Sequence, residues 1–136
     1  RFKNISVINA YGPTEATCFV SLVKIEENML EKKFLPVGKI TDSAVEIKLD
    51  NNEIILKGKS VFEDYLIFKS NNCYKEKSIN CYKTGDVGYI DRNYLYCNGR
   101  IDNQIKYMGY RIELGDIENN LLKINGITES ALALLL

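Results

Sequence analysis

Short apolar segments separated by pairs of turn-forming residues are the feature that most constrains the fold of this chain. The segments AVEIKLD at 44–50 and EIILKG at 53–58 bracket Asn51-Asn52. Asn tolerates the left-handed backbone of a tight turn, so this arrangement predicts a β-hairpin. Alternation places three apolar side chains on one face of its first strand: Val45, Ile47 and Leu49. The middle of the chain is therefore predicted to be sheet-rich.

Other segments on the N-terminal side of residue 98 extend this pattern. ISVIN at 5–9 predicts a strand that delivers a loop at Gly12-Pro13, and TCFVSLVKI at 17–25 is also β-rich. VGYI and YLYC, joined through Asp91-Arg92-Asn93, predict a second hairpin. The polar run SNNCYKEKSIN at 70–80 is predicted to be an exposed loop.

The C-terminal part predicts a different set of elements. QIKYMGYRIEL at 104–114 indicates two strands with a glycine break, and the run at 127–136 indicates another strand. Between them, Ile117, Leu121 and Ile124 recur at helical spacing before Asn125-Gly126, which predicts an amphipathic helix.

Turn formers at Asn98-Gly99 and Asp102-Asn103 indicate a domain boundary or hinge near 98–103. The chain has 136 residues, which suits one domain or one boundary with a piece on each side. Because it starts at Arg1 rather than Met and ends at Leu136 within an apolar run, we expect it to be part of a longer protein.

Composition excludes several classes of function. The sequence has no histidine, which removes His-based nucleophilic catalysis and the commonest metal ligand. Its four cysteines form no CxxC pair, and we expect them to be reduced thiols. Lys plus Arg and Asp plus Glu both number 18, so no basic surface for nucleic acid is indicated. No apolar run is long enough to cross a membrane, and a cytoplasmic location is expected.

The stretch NAYGPTEAT at 9–17 combines an aromatic ring, a hydroxyl and a carboxylate after a predicted strand. Tyr11 can stack on a base, Thr14 can donate to a phosphate oxygen, and Glu15 can bind Mg²⁺. An ordinary turn with a capping Thr and a solvated Glu accounts for the same residues.

Asp86 in YKTGDVGYI follows Gly85 directly and precedes a predicted strand. A carboxylate there can accept hydrogen bonds from both ribose hydroxyls, as acidic residues do in dinucleotide-binding folds. A turn Asp that caps nearby backbone N–H groups is the alternative.

Charged residues are interleaved with small ones in NGRIDNQIKYMGYRIELGDIE at 98–118. Arg100 has the planar fork to contact a ribose or a phosphate, and Lys106 or Arg111 can hold an anion. The alternative is a solvent-facing charged hairpin.

Taken in order, these stretches resemble the acyl-adenylating superfamily, which includes the adenylation domains of nonribosomal peptide synthetases and the acyl-CoA synthetases. The resemblance rests on YGPTE, EIILKG, YKTGD, GRIDNQIK and GYRIELGDIE, which together span residues 9–118. Within the superfamily, LPVGK, YKTGD, GRID, QIK and GYRIEL resemble the ligases that charge a carrier protein with D-alanine.

The resemblance implies roles for residues of the first three motifs. Tyr11 would pack on adenine in a site that includes Gly12, Thr14 would lie near the α-phosphate, and Glu15 would bind Mg²⁺, with Thr14 and Glu15 as the catalytic pair. Asp86 would bind the ribose hydroxyls. ATP or AMP and Mg²⁺ are the cofactors that these roles imply.

Roles are also implied for the last motifs. Arg100 would help to hold the nucleotide, and Asp102 would be the hinge about which a small domain rotates. Lys106, Gly109 and Arg111 would line the channel for the phosphopantetheine of a carrier protein.

The implied fold is α+β: residues 1–101 as the β-rich C-terminal part of the large AMP-binding domain, and 102–136 as the hinge and the beginning of the small domain. The phosphate loop and the C-terminal lysine of the family do not occur in these residues, so the chain alone is expected to be inactive. At Asp64-Tyr65-Leu66 the family has Gly-Tyr-Leu, and Asp is expected to tolerate a left-handed backbone there.

The implied function is ATP-dependent activation of an amino acid, with D-alanine favoured for teichoic acid D-alanylation, and transfer to a carrier-protein thiol. The expected partners are the amino acid and an acyl or peptidyl carrier protein, with no nucleic acid and no membrane insertion. The alternatives are an adenylation domain of a peptide synthetase, an acyl-CoA synthetase, or a non-catalytic binding module.

Overall fold

The computed structural model describes residues 5–41, 43–108 and 110–133, with the backbone alone for Lys106. The chain divides between Gly99 and Arg100 into two compact units. The assignment of the two parts to a large and a small domain stays a prediction.

The regular secondary structure of the first unit is almost entirely antiparallel strand. Its strands are β1 (Ile8–Tyr11), β2 (Ser21–Lys24), β3 (Gly38–Lys39), β4 (Glu46–Asp50), β5 (Glu53–Lys57), β6 (Cys73–Glu76), β7 (Ile79–Asp91) and β8 (Tyr94–Arg100), the last of which ends at the boundary. Single 3₁₀ turns occur at Thr14–Ala16 and Glu27–Met29.

Strands β1 and β2 form a two-stranded sheet, and the other six form a sheet in the order β3-β8-β7-β5-β4, with β6 also paired to β7. The hairpins predicted at Asn51-Asn52 and Arg92-Asn93 are confirmed, and both residues of each pair have positive φ. Two-residue turns of this kind match the right-handed twist of the strands they join.

The prediction of an exposed loop at 70–80 is wrong for its second half. Cys73–Glu76 pairs with Ile79–Tyr82 of β7 around a turn in which Lys77 and Ser78 both have positive φ. The sequence is polar because β6 lies at the surface with most of its side chains exposed, and pairing to β7 does not require apolar residues there.

A bulge interrupts the pairing of β5 with β7. Glu53 lies opposite Val87 but Ile55 lies opposite Lys83, so β7 has two extra residues over this interval. Gly85 adopts the positive φ of 73° that the irregularity requires. The sequence predicts Asp86 just before a strand, whereas in the structure Asp86 lies within the long strand β7, at its bulge.

The core of the first unit lies between this sheet and the β1–β2 hairpin. Its fully buried side chains include Val20, Ile54, Leu56, Tyr82 and Leu95. These residues come from three strands and the connection before β2, so the core fixes the positions of the segments that carry the candidate site.

The second unit contains β9 (Gln104–Tyr107), β10 (Tyr110–Glu113) and α1 (Leu114–Leu121). β9 and β10 form the predicted antiparallel pair. The helix is shorter than predicted, since Ile124 lies beyond its end in a turn whose N–H groups bond three residues back.

The strand predicted for 127–136 is not formed at 127–133, and Leu134–Leu136 lie outside the described residues. The backbone N–H of Leu132 bonds to the Glu118 carboxylate, and the Ser130 hydroxyl bonds to the Glu118 carbonyl. This segment therefore forms hydrogen bonds to α1 rather than to a neighbouring strand. Within the described residues, no helix is long and apolar enough to cross a membrane.

Candidate nucleotide-binding site

The loop after β1 places Thr14, Glu15 and Ala16 on a single 3₁₀ turn. Pro13 precedes the turn in an extended conformation, and its carbonyl accepts the N–H of Ala16 at 3.1 Å. Thr14 is exposed, whereas the Glu15 side chain is turned inward and the residue is only 5% exposed. Thr14, the predicted phosphate donor, and Glu15, the predicted metal ligand, are thus adjacent, but the first is exposed and the second is buried.

Gly12 is required by close packing at the start of this loop. A Cβ atom at this position would lie 2.5 Å from Cα of Phe19 and 2.8 Å from N of Val20. Both contacts are with backbone, which cannot move away as a side chain can. Gly12 thereby lets the chain turn directly beside β2.

The structure brings Tyr11 and Asp86 together. The Tyr11 hydroxyl donates a hydrogen bond of 2.7 Å to Oδ2 of Asp86. Burial, and then the charge of Asp86, raises the pKa of Tyr11 well above its usual range, so the hydroxyl keeps its proton and stays a donor. The predicted adenine-stacking ring and the predicted ribose acceptor form one hydrogen-bonded pair.

Thr84 and Glu53 hold the bulge that presents Asp86. The Thr84 hydroxyl donates to the carbonyl of Ile54 at 2.8 Å and accepts the backbone N–H of Asp86 at 3.0 Å. The N–H of Gly85 donates to Oε1 of Glu53 at 3.0 Å. Since the bulge removes these N–H groups from the β5–β7 ladder, side-chain acceptors replace the missing strand partners.

Glu15 is in contact with a residue that sequence reasoning did not place in the site. Its Oε1 atom accepts a hydrogen bond of 2.5 Å from the hydroxyl of Tyr65. Burial, and then this hydrogen bond, raises the pKa of Tyr65 well above its usual range. Tyr65 belongs to the segment in which Asp replaces the glycine of the family pattern, so the segment was noticed but its aromatic residue was not.

Asp64 behaves differently from the sequence expectation. Its backbone is not in the left-handed region. Instead, Oδ1 accepts the N–H groups of Tyr65 and Ser70, both at 2.9 Å, and these bonds lower the pKa of the carboxyl. Asp at this position therefore closes the loop that follows β5.

Arg100 and Asp102 pair with each other in the second unit. Nε and Nη2 of Arg100 contact Oδ1 and Oδ2 of Asp102 at 2.6 and 2.7 Å, and the N–H of Gln104 bonds to Oδ1 at 3.2 Å. The hydrogen bond from Arg100 holds the pKa of Asp102 below its usual value. The predicted nucleotide ligand and the predicted hinge residue thus form a bidentate ion pair.

The predicted carrier channel is described only in part. Nε of Arg111 donates to Oε1 of Gln104 at 2.6 Å, and Nε2 of Gln104 donates to Glu113 at 2.9 Å. The backbone of Lys106 lies opposite Arg111 in the β9–β10 pair. Gly109 lies outside the described residues. Gln104, which is buried at the centre of this network, is a further residue that the sequence did not single out.

The donor set around Glu15 fits a magnesium ion that arrives with a nucleotide. Within residues 5–41, 43–108 and 110–133, no group of three or more Cys, Asp or Glu side chains forms a self-contained metal site. Mg²⁺ in nucleotide sites is commonly bound by one or two carboxylates together with phosphate oxygens and water. The one carboxylate of Glu15 is compatible with a site of that kind, and its assignment as the magnesium ligand stays a prediction.

Known proteins are similar to this chain in both sequence and structure. No family model matches it. The D-alanine--D-alanyl carrier protein ligase of Listeria monocytogenes serotype 4a (strain HCC23) is 41% identical over 147 residues, which cover 97% of this chain and 29% of that protein. The same-named ligase of Bacillus cereus (strain G9842) is 38% identical, over 89% of this chain and 27% of that protein.

The chain belongs to the acyl-adenylating superfamily. The solved structure of PA1221, an NRPS protein containing adenylation and PCP domains, superimposes with a TM-score of 0.77 at 26% identity. The match covers 92% of this chain and 29% of the PA1221 chain. The predicted α+β fold is confirmed, and the chain matches the C-terminal part of adenylation domains.

This member of the acyl-adenylating superfamily spans less than a third of the length of the curated relatives it matches. Tyr11 lies at the end of β1, Thr14 and Glu15 lie on the turn that follows it, and Asp86 lies at the bulge of β7, all in one sheet-rich unit. Their roles in binding a nucleotide stay predictions.

Proposed function

We propose that the polypeptide carrying these residues is an AMP-forming ligase that activates D-alanine with ATP and transfers it to a carrier protein. The observation that carries the proposal is the hydrogen bond between Tyr11 and Asp86, which unites the two nucleotide motifs across a separation of 75 residues. The choice of D-alanine is supported by the printed name of relatives that are about 40% identical over most of this chain.

The first step is formation of an aminoacyl adenylate. A carboxylate oxygen of the amino acid attacks the α-phosphorus of ATP, the bond to the β-phosphate oxygen breaks, and pyrophosphate leaves. Asp86 accepts hydrogen bonds from the ribose hydroxyls, and Tyr11 packs on adenine while its hydroxyl fixes the Asp86 carboxylate. These contacts contribute by positioning the reacting phosphate.

Charge at the phosphates is handled by the 3₁₀ turn. Thr14 is exposed and can donate its hydroxyl to an α-phosphate oxygen, and Glu15 would hold Mg²⁺ beside it. When bound, Mg²⁺ neutralises part of the negative charge that develops on the phosphate oxygens. Because one short turn carries both residues, their separation is fixed by the backbone.

In the second step, a phosphopantetheine thiol of the carrier protein attacks the acyl carbon, the bond to the phosphate oxygen breaks, and AMP leaves. We assign Asp102 as the hinge that precedes this step, Arg100 as a second nucleotide contact, and Lys106, Gly109 and Arg111 as the lining of the thiol channel. The ATP and carrier protein that the reaction needs are consistent with action in the cytoplasm.

Pyrophosphate exchange tests the proposal directly. The full-length polypeptide that carries these residues is assayed for exchange of labelled pyrophosphate into ATP with D-alanine, L-alanine, other amino acids and short fatty acids. Exchange stimulated by D-alanine alone is the expected result. Stimulation by another amino acid or by a fatty acid would keep adenylation but reject the substrate, and ATP binding without exchange would favour a non-catalytic module.

A further inference from the structure

The aromatic side chain of Tyr65 is held on two sides. Its ring meets Phe62 edge-on, with 4.9 Å between ring centroids, and stacks on Phe68 at 4.7 Å. Its backbone N–H is bonded to the carboxylate of Asp64. Because ring and backbone are both fixed, the hydroxyl has a defined position, and that position is 2.5 Å from Oε1 of Glu15.

The loop that carries Tyr65 is also tied to the turn that carries Glu15. The N–H of Phe62 donates to the backbone carbonyl of Glu15 at 2.9 Å, and the Thr17 hydroxyl donates to the carbonyl of Ser60 at 3.2 Å. Backbone and side chain of Glu15 are therefore both bonded to one loop. This double connection joins two segments that are 50 residues apart in the sequence.

A neutral donor is suited to a carboxylate that must still bind a cation. A Lys or Arg beside Glu15 would orient it but would also neutralise its charge. A phenol hydroxyl orients one oxygen and leaves the negative charge on the carboxylate. Mg²⁺ demands nearly ideal octahedral geometry, so a carboxylate with a fixed direction loses less freedom when it becomes a ligand.

We propose that Tyr65 is a positioning residue that orients the Glu15 carboxylate toward the Mg²⁺ bound with ATP. This inference rests on the proposed function and adds to it a residue outside the YGPTE and TGD motifs. Tyr65 acts through Glu15 and does not itself contact the nucleotide.

The test measures how strongly Mg²⁺ promotes nucleotide binding. ATP affinity of the full-length polypeptide is determined by calorimetry with Mg²⁺ and again with EDTA, for the unaltered protein and for Tyr65→Phe. The variant keeps the ring between Phe62 and Phe68 and removes only the hydroxyl. The expected result is a loss of about tenfold in the Mg²⁺-dependent gain in affinity, with affinity in EDTA unchanged.

Two further variants separate positioning from folding. Tyr74→Phe makes the same chemical change on a partly exposed tyrosine of β6 and is expected to leave both affinities unchanged. Phe68→Leu keeps the Tyr65 hydroxyl but removes the stacked ring, and an intermediate loss of the Mg²⁺ effect is expected. Thermal unfolding of each variant shows whether its fold is retained.

A double-mutant cycle identifies the residue through which Tyr65 acts. In a Glu15→Gln background, Tyr65→Phe is expected to cause no further loss of the Mg²⁺ effect. A full additional loss there, or an unchanged Mg²⁺ effect in Tyr65→Phe alone, would overturn the positioning role and leave the proposed function intact. Absence of ATP binding by the unaltered protein would overturn both, because no nucleotide-bound metal would exist for Glu15 to hold.

Discussion

The hydroxyl of Tyr11 lies 2.7 Å from Oδ2 of Asp86, although the two residues are 75 positions apart in the chain. One residue ends β1 and the other lies at the bulge of β7. A direct hydrogen bond thus joins the two segments of the candidate nucleotide site. A substitution of either residue should therefore change the hydrogen bonding of the other.

Tyr11→Phe should weaken ATP binding by roughly five- to twentyfold in the full-length polypeptide. The ring remains for stacking, but the Asp86 carboxylate loses a hydrogen bond, and a bond to a charged group contributes about 1.5 kcal/mol at the low end of the usual range. Asp86→Ala should abolish detectable binding, since the ribose acceptor is gone. Calorimetric titration with ATP measures both. If Asp86→Ala binds as the unaltered protein does, Asp86 is only a turn residue.

Gly12→Ala should destabilise the first unit by about 1–3 kcal/mol because the new Cβ would overlap backbone atoms of Phe19 and Val20, which lie just before β2. Gly115→Ala is a matched control, because a Cβ at Gly115 in α1 has no atom within 4 Å. That change should be neutral or stabilise by up to about 1 kcal/mol, since Ala is the better helix former. Urea unfolding gives both values, and equal effects would contradict the close packing at Gly12.

Thr84→Val should destabilise the fold by about 1–3 kcal/mol and should also weaken ATP binding. Val has nearly the same shape, but it leaves the carbonyl of Ile54 and the N–H of Asp86 without the hydroxyl that each contacts at a buried site. Thr128→Val, at an exposed position, is the control. A stable Thr84→Val variant with unchanged ATP affinity would mean that the bulge is held without this side chain.

The ion pair of Arg100 and Asp102 should give the second unit a small dependence on acid. The folded-state pKa of Asp102 lies below its value in the unfolded chain. The pair therefore stabilises the folded state above the unfolded pKa of about 3.9, and this contribution is lost as the pH falls through the lower folded-state value. Because the Asp102 side chain is 48% exposed, the contribution should stay below about 1 kcal/mol.

Carbon-13 NMR titration of the Asp102 carboxyl checks this prediction. Arg100→Gln should raise the titration midpoint of Asp102, because the guanidinium that stabilises its charged form is removed. Lys123→Gln removes a positive charge in the turn after α1, where Lys123 bonds to Asn120 rather than to Asp102, and should leave the midpoint unchanged. An equal rise in both variants would attribute the low pKa to net charge rather than to the ion pair.

The hairpins were accessible to sequence reasoning because their signals are local. Asn51-Asn52 and Arg92-Asn93 lie between apolar segments, and a two-residue turn then sets the pairing of its own strands. The sequence does not predict the hairpin at Lys77-Ser78 because neither residue favours the positive φ that both adopt and because its outer strand is polar. The helix was located but its end was not, since turns with shorter hydrogen bonds replace it after Leu121.

The sequence by itself determined the sheet-rich character of the chain and the identity of the residues in the adenylation motifs, because both depend on neighbours a few positions apart. Only the tertiary structure decided that Tyr11 contacts Asp86, that Tyr65 contacts Glu15, and that a bulge presents the TGD segment. Each of these depends on how a buried core brings distant segments together. The residue pattern of one strand does not specify which distant segment will contact it.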